Sequence, residues 1–444
     1  MFEKELELIE KKDYTQLLSV IRDMNPVDIA NLLSELPENK QLPVFRMLPK
    51  DIAAEVFVEM ETEMQELLIR IFTDSELHSY LEELYVDDAV DIIEEMPANV
   101  VRRILRLCDP HTREQINQIL RYPKDSAGSI MTTEFVGLRA DMTVFEAFAR
   151  IRKIGIDKET IYTCFVTDSN LHLVGVVTVK EMILAGKDIV IGDIMHKHVV
   201  FVKTTDDKEE AAMCFDKYDF MAIPVVDQEN RLVGIVTYDD AIDVLQEENT
   251  EDIMKMAAIT PEDDSYLRTP VWKHAKSRIL WIMLLMISST FTGMILTHYE
   301  AAFVSLPVLV SFVPMLMGTG GNCGSQSATM VIRGLALDEI ENRDFLKVLF
   351  KEFRIALMVG SALAIVNTVR IMLMPEGTLA LATVLGISII ATAVLAKSLG
   401  CCLPMLARKL KLDPAIMASP LITTIVDACS VLLYFSIAVA ILKI

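Results

Sequence analysis

Apolar residues recur every three or four positions in IANLLSEL, AAEVFVEM, ELLIRIF and AVDIIEEM, and acidic residues, Pro or Asn separate these runs. That period gives each run one apolar face, so residues 1–125 are expected to be helical throughout. Three segments, DIANLLSELP, DIAAEVFVEM and DAVDIIEEMP, share a degenerate pattern. Repetition of that kind predicts short helices stacked in the manner of an α-solenoid.

Beyond residue 125 the pattern changes and doubles. SIMTTEFVGLRADMTVFEAFARI precedes TCFVTDSNLHLVGVVTVKEMI, and GDIMHKHVVFVKTTDDKEEAAMCF precedes AIPVVDQENRLVGIVTYDDAI. Gly175 and Gly234 occupy the same place in the two copies, 59 residues apart. Each copy reads as a helix, a strand, a polar turn, a second strand and a second helix. The duplication resembles a tandem pair of CBS domains, at 126–187 and 188–248. That resemblance implies a regulatory module with adenine nucleotides, ATP among them, as its ligands. The acidic run AIDVLQEENTEDIMKMAAI then predicts a connecting helix in the segment 249–270.

Five apolar stretches follow, at Ile279–Thr297, Ala301–Ile332, Ile355–Met374, Leu379–Leu403 and Pro414–Leu442. Each is long enough to cross about 30 Å of hydrocarbon. The second contains MGTGGNCGSQSATM, whose glycines predict an interrupted helix lining a cavity. Its Asn322, Ser325, Gln326 and Thr329 offer polar atoms for an ion or its hydration shell. Twelve Lys and Arg fall on one side of these stretches (Arg268, Lys273, Lys276, Arg278, Arg333, Arg343, Lys347, Lys351, Arg354, Arg408, Lys409 and Lys411). Only Arg370 and Lys443 fall on the other. The positive-inside bias predicts a cell-membrane protein with a cytoplasmic N-terminus and an extracytoplasmic C-terminus. Lys397, near a span end, is expected to snorkel to the interface.

Charge divides the chain in the same place. Residues 271–444 carry 14 Lys and Arg against 9 Asp and Glu, whereas the whole chain carries 42 against 63. The acidic excess argues against nucleic acid as a partner and points towards cations. The seven cysteines form no CxxC pair, and the charged opening MFEKELELIEKKDY does not read as a signal peptide. GxSxG, HExxH and Walker motifs are missing from the sequence, so no hydrolytic enzyme is expected.

Asp427 is the ionisable residue that stands out inside an apolar stretch, with no basic residue three or four positions away and Thr423 one turn before it. A carboxylate so placed needs a partner, and a hard cation supplies one. Asp413, followed by Pro, reads as a helix cap and as a contact at the mouth of an ion path. In the acidic part, Asp87, Asp88 and Asp91 share a helical face. Asp239, Asp240, Asp243, Glu247, Glu248, Glu251 and Asp252 crowd the end of the second repeat. Like charges at this spacing repel, which favours screening by divalent cations; the absence of DxDxDG excludes an EF-hand loop.

PMLMGTGGNCGSQSATMVIRGLA and LDPAIMASPLITTIVDACSVLLYF resemble the MgtE-type magnesium transporters, as does the order of parts along the whole chain. NCGSQ carries Cys323 and Ser325 where Thr and Asn are common in that family. The resemblance implies a multidomain fold: an all-α superhelical N-terminal domain (1–125), α/β tandem CBS domains, a plug helix (249–270) and an α-helical membrane domain of five transmembrane helices (271–444). It implies a homodimeric Mg2+ channel in the lipid bilayer, with a pore ion at Asp427, Thr423 one turn away and Asp413 at the mouth. Sensing carboxylates are implied at Glu55, Asp87, Asp91, Asp219, Asp240, Asp243, Glu248, Glu251 and Asp252. A CBS-regulated membrane sensor or scaffold without ion flux is the alternative.

Overall fold

The computed structural model describes residues 2–262, 266–267, 269–300, 304, 306–375, 377–417 and 419–442. Arg268 and Lys443 of the topology argument, and parts of the connecting segment and of the second and fifth apolar stretches, lie outside the described residues. The chain divides into two units, Met1–Gln246 and Glu247–Ile444.

The first unit opens with short helices: α1 (Glu3–Glu10), α2 (Tyr14–Ile21), α3 (Pro26–Ser34), α4 (Glu38–Phe45) and α5 (Lys50–Val58). They continue as α6 (Thr62–Ile71), α7 (Asp74–Leu81), α8 (Val86–Glu95), α9 (Ala98–Leu107) and α10 (Pro110–Ile119). Helix α3 packs on α5, α5 on α7 and α7 on α9, whereas the three repeated segments fall on α3, α5 and α8, and α8 packs on α10. Phe45, Phe57, Phe72 and Tyr80 fill its centre, with the Phe72 and Tyr80 rings 5.1 Å apart. Thr73 and Glu76 cap α7 reciprocally, satisfying two amides that the helix leaves open.

Each CBS copy then folds as one small sheet and its helices. The first holds β1 (Gly137–Arg139), α11 (Val144–Ile154), β2 (Thr163–Thr167), β3 (Leu173–Thr178) and α12 (Val179–Leu184), and the short α13 (Ile191–Ile194) opens the second. The second holds β4 (Val202–Lys203), α14 (Lys208–Tyr218), β5 (Ala222–Val226), β6 (Leu232–Thr237) and α15 (Tyr238–Met256). In both sheets the first strand runs parallel to the second and the second antiparallel to the third. Gly175 pairs with Val166 and Gly234 with Val225, the same register twice. A Cβ on Gly234 would lie 2.8 Å from the Thr132 carbonyl oxygen. That closeness has a purpose, because Thr132 of the first copy exchanges two backbone hydrogen bonds with Ile235 of the second, at 2.8 and 2.9 Å. His196 of the second copy pairs in the same way with Val176 of the first. The two repeats are thus stitched to each other crosswise.

The second unit contains the rest of α15 and five long helices: α16 (Val271–His298), α17 (Val313–Ala336), α18 (Phe345–Met372), α19 (Leu379–Lys409) and α20 (Ser419–Leu442). Among the described residues four segments are long and apolar enough to cross a membrane: Val271–His298, Asn342–Met372, Leu379–Lys409 and Pro414–Leu442. Helix α17 carries too many Gly and polar residues to join them. The interruption expected in the Gly-rich run is not there, since α17 is helical from Val313 to Ala336. Gly320, Gly321 and Gly324 serve packing instead, whereas a Cβ on Gly318 would meet nothing within 4 Å. A Cβ on Gly320 would lie 2.8 Å from both Thr392 and Val426, and one on Gly324 2.7 Å from Ile422. Small residues there let α17 approach α19 and α20 closely, and the backbone needs no break. All seven cysteines are free.

Candidate metal centres and transport site

Two helices begin at one cluster of acids in the first unit. Asp87 and Asp88 occupy the first turn of α8, and Asp239 and Asp240 the first turn of α15. Helix N-termini favour negative charge, which lets so many carboxylates converge. Asp87 is only 7% exposed, and one of its carboxylate oxygens has no hydrogen-bond partner. Oxygens of Asp87, Glu134 and Glu159 lie within 4.8 Å of one another. Burial, and then the Asp240 carboxylate, push the Asp87 carboxyl well above its ordinary range. Burial also raises Asp88 to about 7, Glu159 to about 8 and Asp240 to about 6. A hydrogen bond from the Thr237 hydroxyl holds Asp240 back. Glu59, at the end of α5, is raised by burial and by Asp243. This is an arrangement of oxygen ligands with surplus negative charge, suited to a hard divalent cation.

Not every expected acid joins it. Glu55 is exposed on α5, one turn before Glu59, and Asp91 is exposed one turn beyond Asp87. Asp219 is exposed at the end of α14 in a left-handed conformation, φ 54°. Asp243 is exposed on α15, where it acts on Glu59.

Further along α15 a second group forms. Lys255 lies 2.5 Å from Glu251 and 2.7 Å from Asp413. Half-buried Asp252 is raised by burial and by the neighbouring Asp413 carboxylate. Asp413 accepts the Ala415 amide at 2.8 Å, capping the turn Pro414–Met417. Lys255 therefore stands where a bound cation would otherwise balance these acids. Glu248 is half-buried on the same helix.

Asp427 is half-buried in α20, and among the described residues no ion pair involves it. Thr423, one turn earlier, donates its hydroxyl to the Pro420 carbonyl at 2.9 Å and keeps its oxygen available as an acceptor. Gly321 of α17 lies against both: a Cβ there would be 3.1 Å from Thr423 and 3.9 Å from an Asp427 oxygen. Asn322, Gln326 and Thr329 are exposed at i, i+4 and i+7 along α17, a polar stripe on a helix otherwise packed in the unit.

Lys397 does not snorkel. It is 4% exposed, with its amine 3.6 Å from Glu352 and 3.2 Å from the Ser327 hydroxyl, which in turn donates to Glu352. A buried carboxylate on α18 holds it inside the bundle, because an unpaired charge there is far costlier than a paired one.

Three family models match the chain. The MgtE intracellular N domain covers 4–125, the CBS domain 127–188 and 191–247, and MgtE, a divalent cation transporter, 313–437. The magnesium transporter MgtE of Thermus thermophilus is 36% identical over 436 residues, spanning 97% of this chain and 96% of its own. The chain belongs to the MgtE family. The MgtE of Bacillus subtilis is 32% identical over 422 residues, with 95% and 93% covered. Among solved structures, the cytosolic domain of the Mg2+ channel MgtE in complex with ATP matches with TM-score 0.51 and 37% identity, over 54% of this chain and 98% of that one. The soluble part of a magnesium transporter matches at TM-score 0.52 and 30% identity, over 56% and 97%. In this MgtE chain, sequence reading passed over Glu59, Glu134, Glu159, Lys255 and Glu352. Glu352 alone had a signal, as an acid at the edge of one apolar stretch while a stranded Lys sits in the next.

Proposed function

We propose that this chain transports Mg2+ across the cell membrane along a path lined by Asp427, and that Mg2+ held by its soluble unit closes the path. It acts as a transporter and catalyses no covalent chemistry. The observation that carries the reading is Asp427, a carboxylate on an apolar helix with no cationic partner among the described residues. In a homodimer with two copies of Asp427 facing across a two-fold axis, the paired charge balances one divalent ion. Mg2+ dehydrates reluctantly, so it keeps water and meets Thr423 and the stripe Asn322, Gln326 and Thr329 through that shell. Helix α17 counts as the fifth span in this reading, shielded from lipid by its neighbours. The Lys and Arg asymmetry then leaves the N-terminus in the cytoplasm and the C-terminus outside.

Gating follows from differential binding. Asp87, Asp240, Asp243 and Glu59 repel one another when bare, and Mg2+ between them favours the closed arrangement. Glu55, Asp91 and Asp219, exposed and outside that cluster, are offered in this reading as partners for further ions. Glu248, Glu251, Asp252 and Asp413 form the plug's own site, where Lys255 serves as the resident cation. ATP is the ligand we assign to the CBS pair, supported by the ATP complex of the related cytosolic domain.

Flux of Mg2+ into liposomes holding the purified protein tests the pore. Asp427→Asn keeps shape and removes charge, and is expected to abolish flux while the protein still inserts. Wild-type flux in that variant would remove Asp427 from the path. No flux in the wild type would favour the sensor or scaffold instead.

A further inference from the structure

We propose that Glu134 and Glu159 are ligands of the regulatory divalent cation, completing with Asp87 a site that draws on the N-terminal helices and on the first CBS copy. The proposal rests on the reading of the acidic soluble unit as the Mg2+ sensor. It adds two ligands that neither the sequence pattern nor the family resemblance supplies.

Two observations point to a bound ion. Oxygens of Asp87, Glu134 and Glu159 gather within 4.8 Å. Asp87, 93% buried, directs an oxygen into the protein with no donor to meet it, and so does Glu159. Two orphaned carboxylate oxygens beside a third acid leave charge that burial makes costly. A cation satisfies all of them at once. Adjacent ligands of octahedral Mg2+ stand about 3 Å apart and opposite ones about 4 Å, so the three oxygens need to draw in by up to ~2 Å to hold one ion directly.

Backbone hydrogen bonds build the site in advance. The Val86 amide, at the start of α8, donates to the Glu134 carboxylate at 3.2 Å. The Glu159 amide donates to the Glu134 carbonyl at 2.9 Å, fastening the loop after the turn Gly155–Asp157 to the strand-like segment Thr132–Glu134. Thr132 is in turn tied to Ile235 of the second copy by its pair of backbone bonds. The three carboxylates are thus positioned by three chain segments whose meeting depends on the crosswise pairing of the repeats. Asp88 and Asp240, which act on Glu159 through space, are placed to accept hydrogen bonds from the water the ion retains. An ion here locks the N-terminal helices to the first repeat, and Asp240 of the second repeat adds its charge to the same lock.

The test is the Mg2+ midpoint for protease protection of the full-length protein, read for the wild type, Glu134→Gln, Glu159→Gln and Asp240→Asn. Gln preserves size and the Val86 hydrogen bond. Both Gln variants are expected to move the midpoint upward on the order of tenfold or more, since partners even one shell out from a metal matter on that scale. Thermal melts without Mg2+ distinguish a ligand from a structural prop. With the repulsion relieved, each Gln variant should melt no lower than the wild type, whereas a prop would melt lower with and without the ion. An unchanged midpoint in the Gln variants, with a shifted one in Asp240→Asn, overturns the proposal and leaves the sensor intact. Unchanged midpoints in all three variants overturn the sensor reading itself.

Discussion

Asp427 and Lys397 are both charges in apolar helices, yet the sequence foretells the surroundings of only one of them. Asp427 shows because nothing basic lies a turn away, and the structure gives it no ion pair among the described residues. Lys397 misleads because its partner Glu352 belongs to another helix, α18, and only folding brings the two within 3.6 Å. A lone lysine near a span end is read as snorkelling on local grounds, and tertiary pairing overrides that. The pair makes a stability prediction. Lys397→Met strands Glu352 inside the bundle and should cost about 3–5 kcal/mol, the usual penalty for breaking a buried ion pair. The double change Lys397→Met with Glu352→Gln removes both charges and should recover much of the loss. Denaturant unfolding of the detergent-solubilised protein measures both, and equal losses in single and double variants would exclude a charge-pairing role.

Among the elements, the short helices of the first unit and the paired strands of the CBS copies were legible, because 3.6- and 2-residue periods survive in the sequence. Gly175 and Gly234 even marked the register. The Gly-rich run of α17 was not legible, because glycines required by a broken helix and glycines required by a close crossing look alike in sequence. The crossing is tightest at Gly400 of α19, where a Cβ would sit 2.4 Å from the Gly324 carbonyl oxygen. Backbone cannot yield there as a side chain would. Gly400→Ala is expected to lower stability by about 1–3 kcal/mol or more, as overpacking does. Gly293→Ala on α16 is the matched control: nothing lies within 4 Å of its added methyl, and alanine gains up to ~1 kcal/mol of helix propensity. Thermal midpoints in one detergent should therefore fall for the first and hold or rise for the second. A Gly400→Ala protein as stable as the wild type would contradict the close α17–α19 packing.

For the whole molecule, the order of parts could be read from charge and hydropathy, but the acid cluster depends on contacts between segments far apart in sequence. Glu134 and Glu159 look like ordinary surface residues until Thr132 pairs with Ile235 and the loop at Glu159 folds onto that segment. Their convergence couples the first unit to pH and, in the proposed reading, to Mg2+. Burial raises Asp88 from 3.8 to about 7, Asp240 from 3.8 to about 6 and Glu159 from 4.5 to about 8. Between the unfolded and folded values the folded chain binds protons that the unfolded chain has released, so stability must fall as pH rises through that window. Below it both states are protonated and the contribution is level. Mg2+ requires the deprotonated carboxylates and displaces those protons, so its binding strengthens as pH rises. The Mg2+-free protein should accordingly melt lower at about pH 8 than at about pH 6, and saturating Mg2+ should raise the midpoint more at the higher pH. Calorimetry in buffers of different ionisation enthalpy should record proton release on Mg2+ binding near neutral pH. A Mg2+-induced rise that is the same at both pH values, with no proton released, would mean that the ion binds carboxylates already bare in the folded protein, away from Asp88, Glu159 and Asp240.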